Sequence, residues 1–257
     1  MKTSFMKSLC TLGATLLMLS GPGVRAAELK VIAGAAFAPA LQELGPRFER
    51  ATGFTLVVEY GILGALKKRI DGGEKFDVAI VPAALLDGAA KQGRIVEGTR
   101  AGLVRVGMAV AVRAGAPKPD IGSVDAFKRA LLGASGIAYP PEGAIGVHLA
   151  KVLGQLGIAE QMKVKTRALK TVELVAPTLA AGEAELGFAP STVFAGASGV
   201  EVVGPFPPEL QSYVQLSAGV GSSSAQRDAA ISLIRHLTSP EAVAVFKAKG
   251  FEPSLGN

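Results

Sequence analysis

The feature that most constrains the fold is a regular alternation of short apolar segments with amphipathic segments of helical spacing. The first three apolar segments span residues 29–33, 54–60 and 76–81, and the helical segments that follow them span 39–51, 65–70 and 83–92. Strands that alternate with helices of this length form βαβ units, in which the strands lie parallel. The pattern therefore predicts an α/β protein built on mainly parallel sheets.

A second series of the same kind occupies the middle of the chain. Its predicted strands span residues 136–139, 164–168, 185–189 and 199–203, and its predicted helices span 123–132, 145–156 and 172–181. Two longer predicted strands, 103–113 and 213–221, bracket this series. The simplest architecture is two lobes, each a mainly parallel sheet flanked by helices, with two crossovers of the chain between them. Lobe one is predicted to hold residues 27–107 and 213–257, and lobe two residues 108–212.

Capping and breaking residues indicate where several helices begin and end. Ser123 and the Ser239-Pro240 pair are typical of helix starts. Gly53 and Gly250 follow helical segments and are typical C-terminal stops. Gly45-Pro46 is expected to break or kink the helix over 39–51, because proline removes a helical hydrogen bond. Ser223 and Gln226 have the spacing of a capping box ahead of a helix over 225–237.

The first 26 residues have the layout of a secretory signal peptide. Lys2 and Lys7 precede an apolar run over 9–19, and small residues end the segment at Ala26. The apolar run is well short of the roughly 20 residues that span a bilayer. Cys10, the single cysteine, lies inside this segment and does not follow the predicted cut. The segment predicts export to the periplasm as a protein without a lipid anchor or disulfide bonds.

Charge and motif content argue against nucleic-acid binding and against most kinds of catalysis. The net charge of +6 is scattered, and no basic stripe carries interleaved aromatic residues. The densest basic cluster, Lys67-Lys68-Arg69, is typical of a solvated helix face. The chain has no Gly-x-Ser-x-Gly elbow, phosphate loop or dinucleotide motif. Its two histidines, His148 and His236, lie far apart in helical segments. These observations predict a protein that is not an enzyme and needs no cofactor or metal, and the open alternative is an enzyme that uses His148.

Four loops that follow predicted strands and precede helices are the candidate ligand site. They span residues 34–37, 61–64, 143–146 and 190–192 and are rich in glycine and other small residues. In open α/β sheets ligands bind beyond the carboxyl ends of the strands, where helix N-termini offer backbone N–H groups to anions. The loops therefore predict a cleft that binds a small anion.

Five segments of the chain carry a family resemblance through their order and spacing. They span residues 48–53, 60–66, 76–82, 182–187 and 237–253. With these segments the chain resembles the molybdate-binding family of two-lobed, type II periplasmic binding proteins. The resemblance implies a monomer that captures a molybdate-like or tungstate-like oxyanion between its lobes. It also implies a partner, the membrane permease of an ABC transporter, to which the anion is delivered.

The chain departs from the family pattern at three places where ligand hydroxyls are expected. Ala35-Ala36-Phe37 stands where the family has a small hydroxyl residue. Gly61-Ile62-Leu63-Gly64 stands where the family has Gly-Ser-Ser-Gly. Ala189-Pro190 replaces a tyrosine. Each buried oxygen left without a donor costs about 1–3 kcal/mol. The alternative is that the protein binds an organic carboxylate, for uptake or for sensing through a membrane receptor.

Under this hypothesis the site divides into a polar part and an apolar part. Tyr139, Ser191, Thr192 and the turn over 143–146 hold the charged end, while Phe37, Ile62 and Leu63 face the ligand body. The full set of predicted site residues is Ala35, Ala36, Phe37, Gly61, Ile62, Leu63, Gly64, Tyr139, Gly143, Ala144, Ile145, Pro190, Ser191 and Thr192.

Overall fold

A computed structural model describes residues 27–254 as a mixed α/β fold. The predicted signal peptide at 1–26 lies outside the described residues. The strands are Glu28–Gly34 (β1), Thr55–Gly61 (β2), Val78–Pro82 (β3), Ala101–Arg113 (β4), Ile137–Tyr139 (β5), Thr166–Ala168 (β6), Leu186–Pro190 (β7), Val200–Pro205 (β8), Tyr213–Val220 (β9) and Glu252–Pro253 (β10).

The helices follow the predicted alternation with the strands. They are Ala38–Thr52 (α1), Leu63–Asp71 (α2), Ala83–Lys91 (α3), Val124–Gly133 (α4), Gly143–Gln155 (α5), Ala159–Lys163 (α6), Val175–Ala180 (α7), Ser191–Phe194 (α8), Arg227–Leu237 (α9) and Pro240–Ala248 (α10). Within residues 27–254, none of these helices combines the length and the apolar character that crossing a membrane requires.

The strands form a path in the order β2-β1-β3-β9-β4-β7-β5-β6, with β8 and β10 also paired to β4. The pairings of β1 with β2 and β3, and of β5 with β6 and β7, are parallel, as predicted. Every antiparallel pairing involves β4 or β9. These two strands cross between the halves in opposite directions, so the centre of the path is antiparallel and joins the parallel parts on either side.

β4 belongs to both halves of the molecule. Its first part, residues 101–107, pairs with β9, whereas residues 108–113 pair with β7 and β8. The described apolar clusters separate at the same point, because none of them joins side chains of 108–212 to those of the remaining chain. This separation agrees with the two lobes, whose boundaries at 107/108 and 212/213 stay a prediction.

The helix break allowed at Gly45-Pro46 and the capping box predicted at Ser223 are both wrong. Helix α1 runs on through Pro46, and its buried face is held by α9, since His236 Nε2 lies 3.1 Å from the Leu44 oxygen and its ring 5.8 Å from Phe48. Tertiary contacts thus offset the hydrogen bond that proline removes. At α9, Gln226 is the N-cap and no side chain caps the helix, so the Ser223 capping box is absent there.

The other capping expectations are confirmed. Ser123 accepts a hydrogen bond from the Ala126 amide, and Ser239 accepts one from the Ala242 amide, each at 3.2 Å. Gly53 and Gly250 adopt φ angles of 76° and 78°, in the left-handed region that favours glycine at helix ends.

An ion-pair network ties β1, β2 and α2 together at one end of the strand path. Glu74 accepts hydrogen bonds from Lys30 Nζ at 2.9 Å and from Arg69 at 2.6 Å, and Glu59 pairs with the same two cations. Hydrogen bonding to Arg69, above all, lowers the pKa of Glu74 from its ordinary value of 4.5 to about 2. The folded protein therefore holds Glu74 ionised.

Glu74→Gln is expected to lower the free energy of unfolding at pH 7 by about 0.5–1 kcal/mol, since the network is partly solvent-exposed. The pKa of Glu74 is depressed in the folded state, so its contribution is present above pH 4.5 and lost as pH falls toward 2. Urea denaturation should show the difference from wild type at pH 7 and little difference near pH 2. Glu160→Gln, in an exposed pair with Lys163, is the control and should behave as wild type. Equal stability of Glu74→Gln and wild type at pH 7 would contradict the assignment.

Candidate functional site

The turn after β1 places two of the predicted residues at the surface and one in the core. Ala35 and Ala36 are exposed, whereas the Phe37 side chain is fully buried. Its ring centroid lies 5.5 Å from that of Phe246 and 5.7 Å from that of Phe251. The predicted contact of Phe37 with the ligand body is therefore corrected to a packing role, because three aromatic rings from distant segments meet there.

The start of α2 is apolar, exposed and uncapped by any side chain. Ile62 is the N-cap in an extended conformation, and its side chain is 75% exposed, while that of Leu63 is 56% exposed. Gly61 is half-buried and Gly64 exposed. The first backbone N–H groups of a helix have no partner within it and carry partial positive charge, which suits an anion. This end of α2 thus combines backbone amides that no side chain caps with large exposed apolar side chains.

In the other half, the loop after β5 leads into α5. Tyr139 ends β5 and is only 8% exposed, packed within an apolar cluster. Glu142 is the N-cap of α5 without a side-chain hydrogen bond, and the backbone of Gly143 and Ala144 forms the start of this helix. Ile145 is half-buried on the first turn. The predicted role of Tyr139, to hold the charged end of the ligand, would have to use the small part of its side chain that is exposed.

The segment after β7 contacts the C-terminal part of the chain. Ser191 Oγ donates a hydrogen bond to the Gly250 carbonyl at 2.6 Å. A Cβ on Gly250 would lie 2.8 Å from the backbone carbonyl oxygen of Ser191 and 3.1 Å from Thr192 Cα. The predicted hydroxyl donor Ser191 is thus already engaged, and an anion would have to compete with this contact or use other groups.

A cavity of about 250 Å³ lies where β4 and β9 run side by side between the two halves. We call it the crossover cavity, and its lining residues are Val106, Gly107, Met108, Ile145, His148, Pro190, Ser212 and Val214. It brings together the predicted residues Ile145 and Pro190 from separate loops. Met108 and Val214 were not among the predicted site residues. His148 was named only in the enzyme alternative, although it lies three residues after Ile145 on the same helix.

His148 contributes the one imidazole ring of this lining. Its Nε2 lies 2.9 Å from the Leu210 carbonyl oxygen, and its ring centroid lies 6.2 Å from that of Phe206. A carbonyl oxygen only accepts hydrogen bonds, so Nε2 carries the proton and donates it. In the neutral ring, Nδ1 is then the acceptor.

A second cavity and the distribution of metal-ligating side chains complete the description of candidate sites. A larger cavity of about 460 Å³ lies away from the predicted loops, beside residues 100–103, and includes the buried Ser217 hydroxyl, which has no hydrogen-bond partner among the described residues. None of the predicted site residues lines it. Within the described part of the chain, no group of three or more His, Cys, Asp or Glu side chains could hold a metal ion.

Comparisons with known proteins give one family model and two relatives near 30% identity. Residues 29–252 match the model for bacterial extracellular solute-binding proteins. An aconitate isomerase from a Pseudomonas species is 31% identical over 253 residues, covering 95% of this chain and 96% of that protein. The molybdate-binding protein ModA of Azotobacter vinelandii is 30% identical over 266 residues, covering 98% and 99%.

The fold is likewise shared with solved structures. A Clostridium difficile protein assigned as the substrate-binding domain of a molybdenum ABC transporter superposes with a TM-score of 0.79 at 21% identity. The match covers 89% of this chain and 99% of that one. The two-lobed α/β fold predicted from the alternation of strands and helices is thereby confirmed.

Proposed function

This chain belongs to the bacterial extracellular solute-binding protein family, and from that premise we propose that it captures a small organic carboxylate. The carboxylate is held between the two lobes and presented to the permease of an ABC transporter. The predicted signal peptide supports a periplasmic location, and the monomeric state expected from the sequence is part of the same proposal. Membership of the family implies a small solute and a permease partner.

The observation that carries the choice of ligand is the start of α2. Ile62 and Leu63 are exposed there and supply no hydroxyl, while the first backbone amides of the helix have no side-chain cap. A tetrahedral oxyanion presents acceptors on all sides, and each one left without a donor costs about 1–3 kcal/mol. A carboxylate concentrates its charge on two oxygens and leaves a carbon skeleton for apolar contact. Uncapped amides next to apolar side chains suit the second kind of anion better.

The crossover cavity supports the same choice. Val106, Met108, Ile145 and Val214 give it an apolar lining, and apolar surface is stabilised by contact with carbon rather than with inorganic oxygen. The two relatives near 30% identity differ in what their names state, since one acts on aconitate and the other binds molybdate. Their similar identities do not decide the ligand, so the choice depends on the residues at the site.

Isomerisation of an unsaturated carboxylate is a second candidate function. It is favoured by the relative named as an aconitate isomerase and by His148 in the crossover cavity, since imidazole moves protons near neutral pH. Incubation of the protein with cis- or trans-aconitate, followed by proton NMR, measures this conversion directly. A steady rate above the protein-free rate would establish the enzyme, and its absence would leave capture as the function.

The ligand class is tested by a thermal-shift panel of aconitates, citrate, succinate and acetate against molybdate, tungstate, sulfate and phosphate. A ligand at one hundred times its Kd stabilises the folded state by about 2.7 kcal/mol, which gives a clear increase in Tm. We expect a carboxylate to give the largest shift. Tight molybdate binding without any carboxylate binding would overturn the proposal.

The role of the α2 start is tested by the double variant Ile62→Ser with Leu63→Ser. Removing the apolar contact is expected to weaken carboxylate binding about tenfold, given about 1.4 kcal/mol for the lost apolar area. The added hydroxyls are expected to raise the affinity for molybdate. Val164→Ser is the matched control, because Val164 is an 88% exposed valine at the end of α6, outside the candidate site. Isothermal titration of all three proteins makes the comparison, and unchanged affinities in the double variant would contradict the role.

A further inference from the structure

We propose that His148 holds the ligand carboxylate in the crossover cavity and takes up a proton when the anion binds. This inference rests on the proposed function and adds a named binding residue and a proton linkage to it. The sequence-predicted site residues do not include His148.

The hydrogen bond to Leu210 determines which face of the imidazole is available. Nε2 donates to the Leu210 carbonyl at 2.9 Å, so Nε2 is protonated in both the neutral and the charged ring. His148 lines the cavity and Leu210 does not, and we therefore assign the Nδ1 edge to the cavity. A carboxylate at that edge needs a donor, which Nδ1 becomes only when the ring is protonated.

The surroundings of His148 leave the ligand as its principal charge partner. The other lining residues of the cavity are uncharged. Lys151 on α5 and Glu209, next to Leu210, are exposed and do not line the cavity. Arg105 on β4 is paired with Glu252 at 2.7 Å. An anion in an apolar cavity beside one imidazole strongly favours the imidazolium form, so binding and protonation are coupled.

His236 provides an internal control of nearly the same local geometry. Like His148, it is half-buried on a helix, with Nε2 3.1 Å from a leucine carbonyl, that of Leu44, and with its ring 5.8 Å from a phenylalanine. It does not line the crossover cavity. The two histidines are the only ones in the chain, so a difference between them isolates the effect of the cavity.

The test is isothermal titration of trans-aconitate into the purified protein at pH 7.5 in buffers of different ionisation enthalpy. The dependence of the heat on the buffer gives the number of protons taken up. We expect close to one proton for wild type and His236→Gln, and none for His148→Gln, whose amide can still donate to Leu210. The wild-type affinity should fall as the pH rises, and that of His148→Gln should stay level.

A second measurement follows the wild-type protein and does not require a folded His148→Gln variant. The wild-type protein has two histidine Cε1–H signals, and the His236→Gln variant assigns them. Addition of trans-aconitate at constant pH should shift the His148 signal to its protonated position and leave that of His236 unchanged.

The outcomes separate this inference from the proposed function. Proton uptake that disappears in His148→Gln, together with the shift of the His148 signal, supports the inference. Carboxylate binding without proton uptake, or with an unchanged His148 signal, overturns it and leaves the proposed function standing. Failure of trans-aconitate and every other panel carboxylate to bind wild type overturns both.

Discussion

Gly146→Ala is expected to lower the free energy of unfolding by about 3 kcal/mol, the range in which overpacking against a fixed backbone falls. A Cβ on Gly146 would lie 1.8 Å from the Pro141 carbonyl oxygen and 2.6 Å from Pro141 Cα. The atoms that would have to move belong to the backbone of the loop after β5, so no rotamer change relieves the contact. The loop and the first turn of α5 must therefore separate.

This separation is also expected to abolish ligand binding. Ile145 and His148 line the crossover cavity from the first two turns of α5, and both move with the helix if its start is displaced. Urea denaturation measures the stability, and isothermal titration with the tightest ligand of the panel measures the binding. Loss of both in the variant is the expected result.

Gly154→Ala is the control on the same helix. A Cβ at Gly154 meets nothing within 4 Å, and alanine is favoured over glycine inside helices by about 0.5–1 kcal/mol. This variant should therefore be slightly more stable than wild type and bind the ligand unchanged. If Gly146→Ala is as stable as Gly154→Ala, the close approach of Pro141 to α5 is wrong.

The sequence predicts the elements of this fold well because each of them is encoded locally. Apolar spacing identifies the βα units, and the caps at Ser123 and Ser239 indicate helix starts through contacts three residues away. The antiparallel centre formed by β4 and β9 depends on pairing between residues about 110 positions apart. No local pattern specifies that pairing, so only the two crossovers could be anticipated.

The candidate site is predictable in its loops and less so in its side chains. A residue after a strand can face a cleft or the core, and Phe37 turns inward because Phe246 and Phe251 form its packing partners. Both partners come from the C-terminal part of the chain. The contact of Ser191 with Gly250 and the lining of the crossover cavity by His148 depend in the same way on segments that meet only after folding.

Phe37→Ala is expected to lower the free energy of unfolding by about 3–5 kcal/mol, as for other fully buried aromatic side chains. The change removes the ring at the centre of the cluster with Phe246 and Phe251 and leaves a cavity in the core that lies between the strands and α10. Urea denaturation measures the loss, and Phe37→Leu, which retains most of the volume, should lose clearly less. Ligand affinity in the folded fraction should change little, because the ring does not reach the surface.

Leu63→Ala should show the opposite pattern, with little change in stability and weaker ligand binding. Its side chain is 56% exposed, so its truncation is expected to change stability by no more than about 0.5 kcal/mol. The proposed function places the ligand at the uncapped start of α2, so several-fold weaker carboxylate binding is expected. If instead Phe37→Ala weakens binding at unchanged stability, the ring faces the ligand, as the sequence alone predicted. The two single variants thus distinguish core packing from ligand contact at neighbouring strand ends.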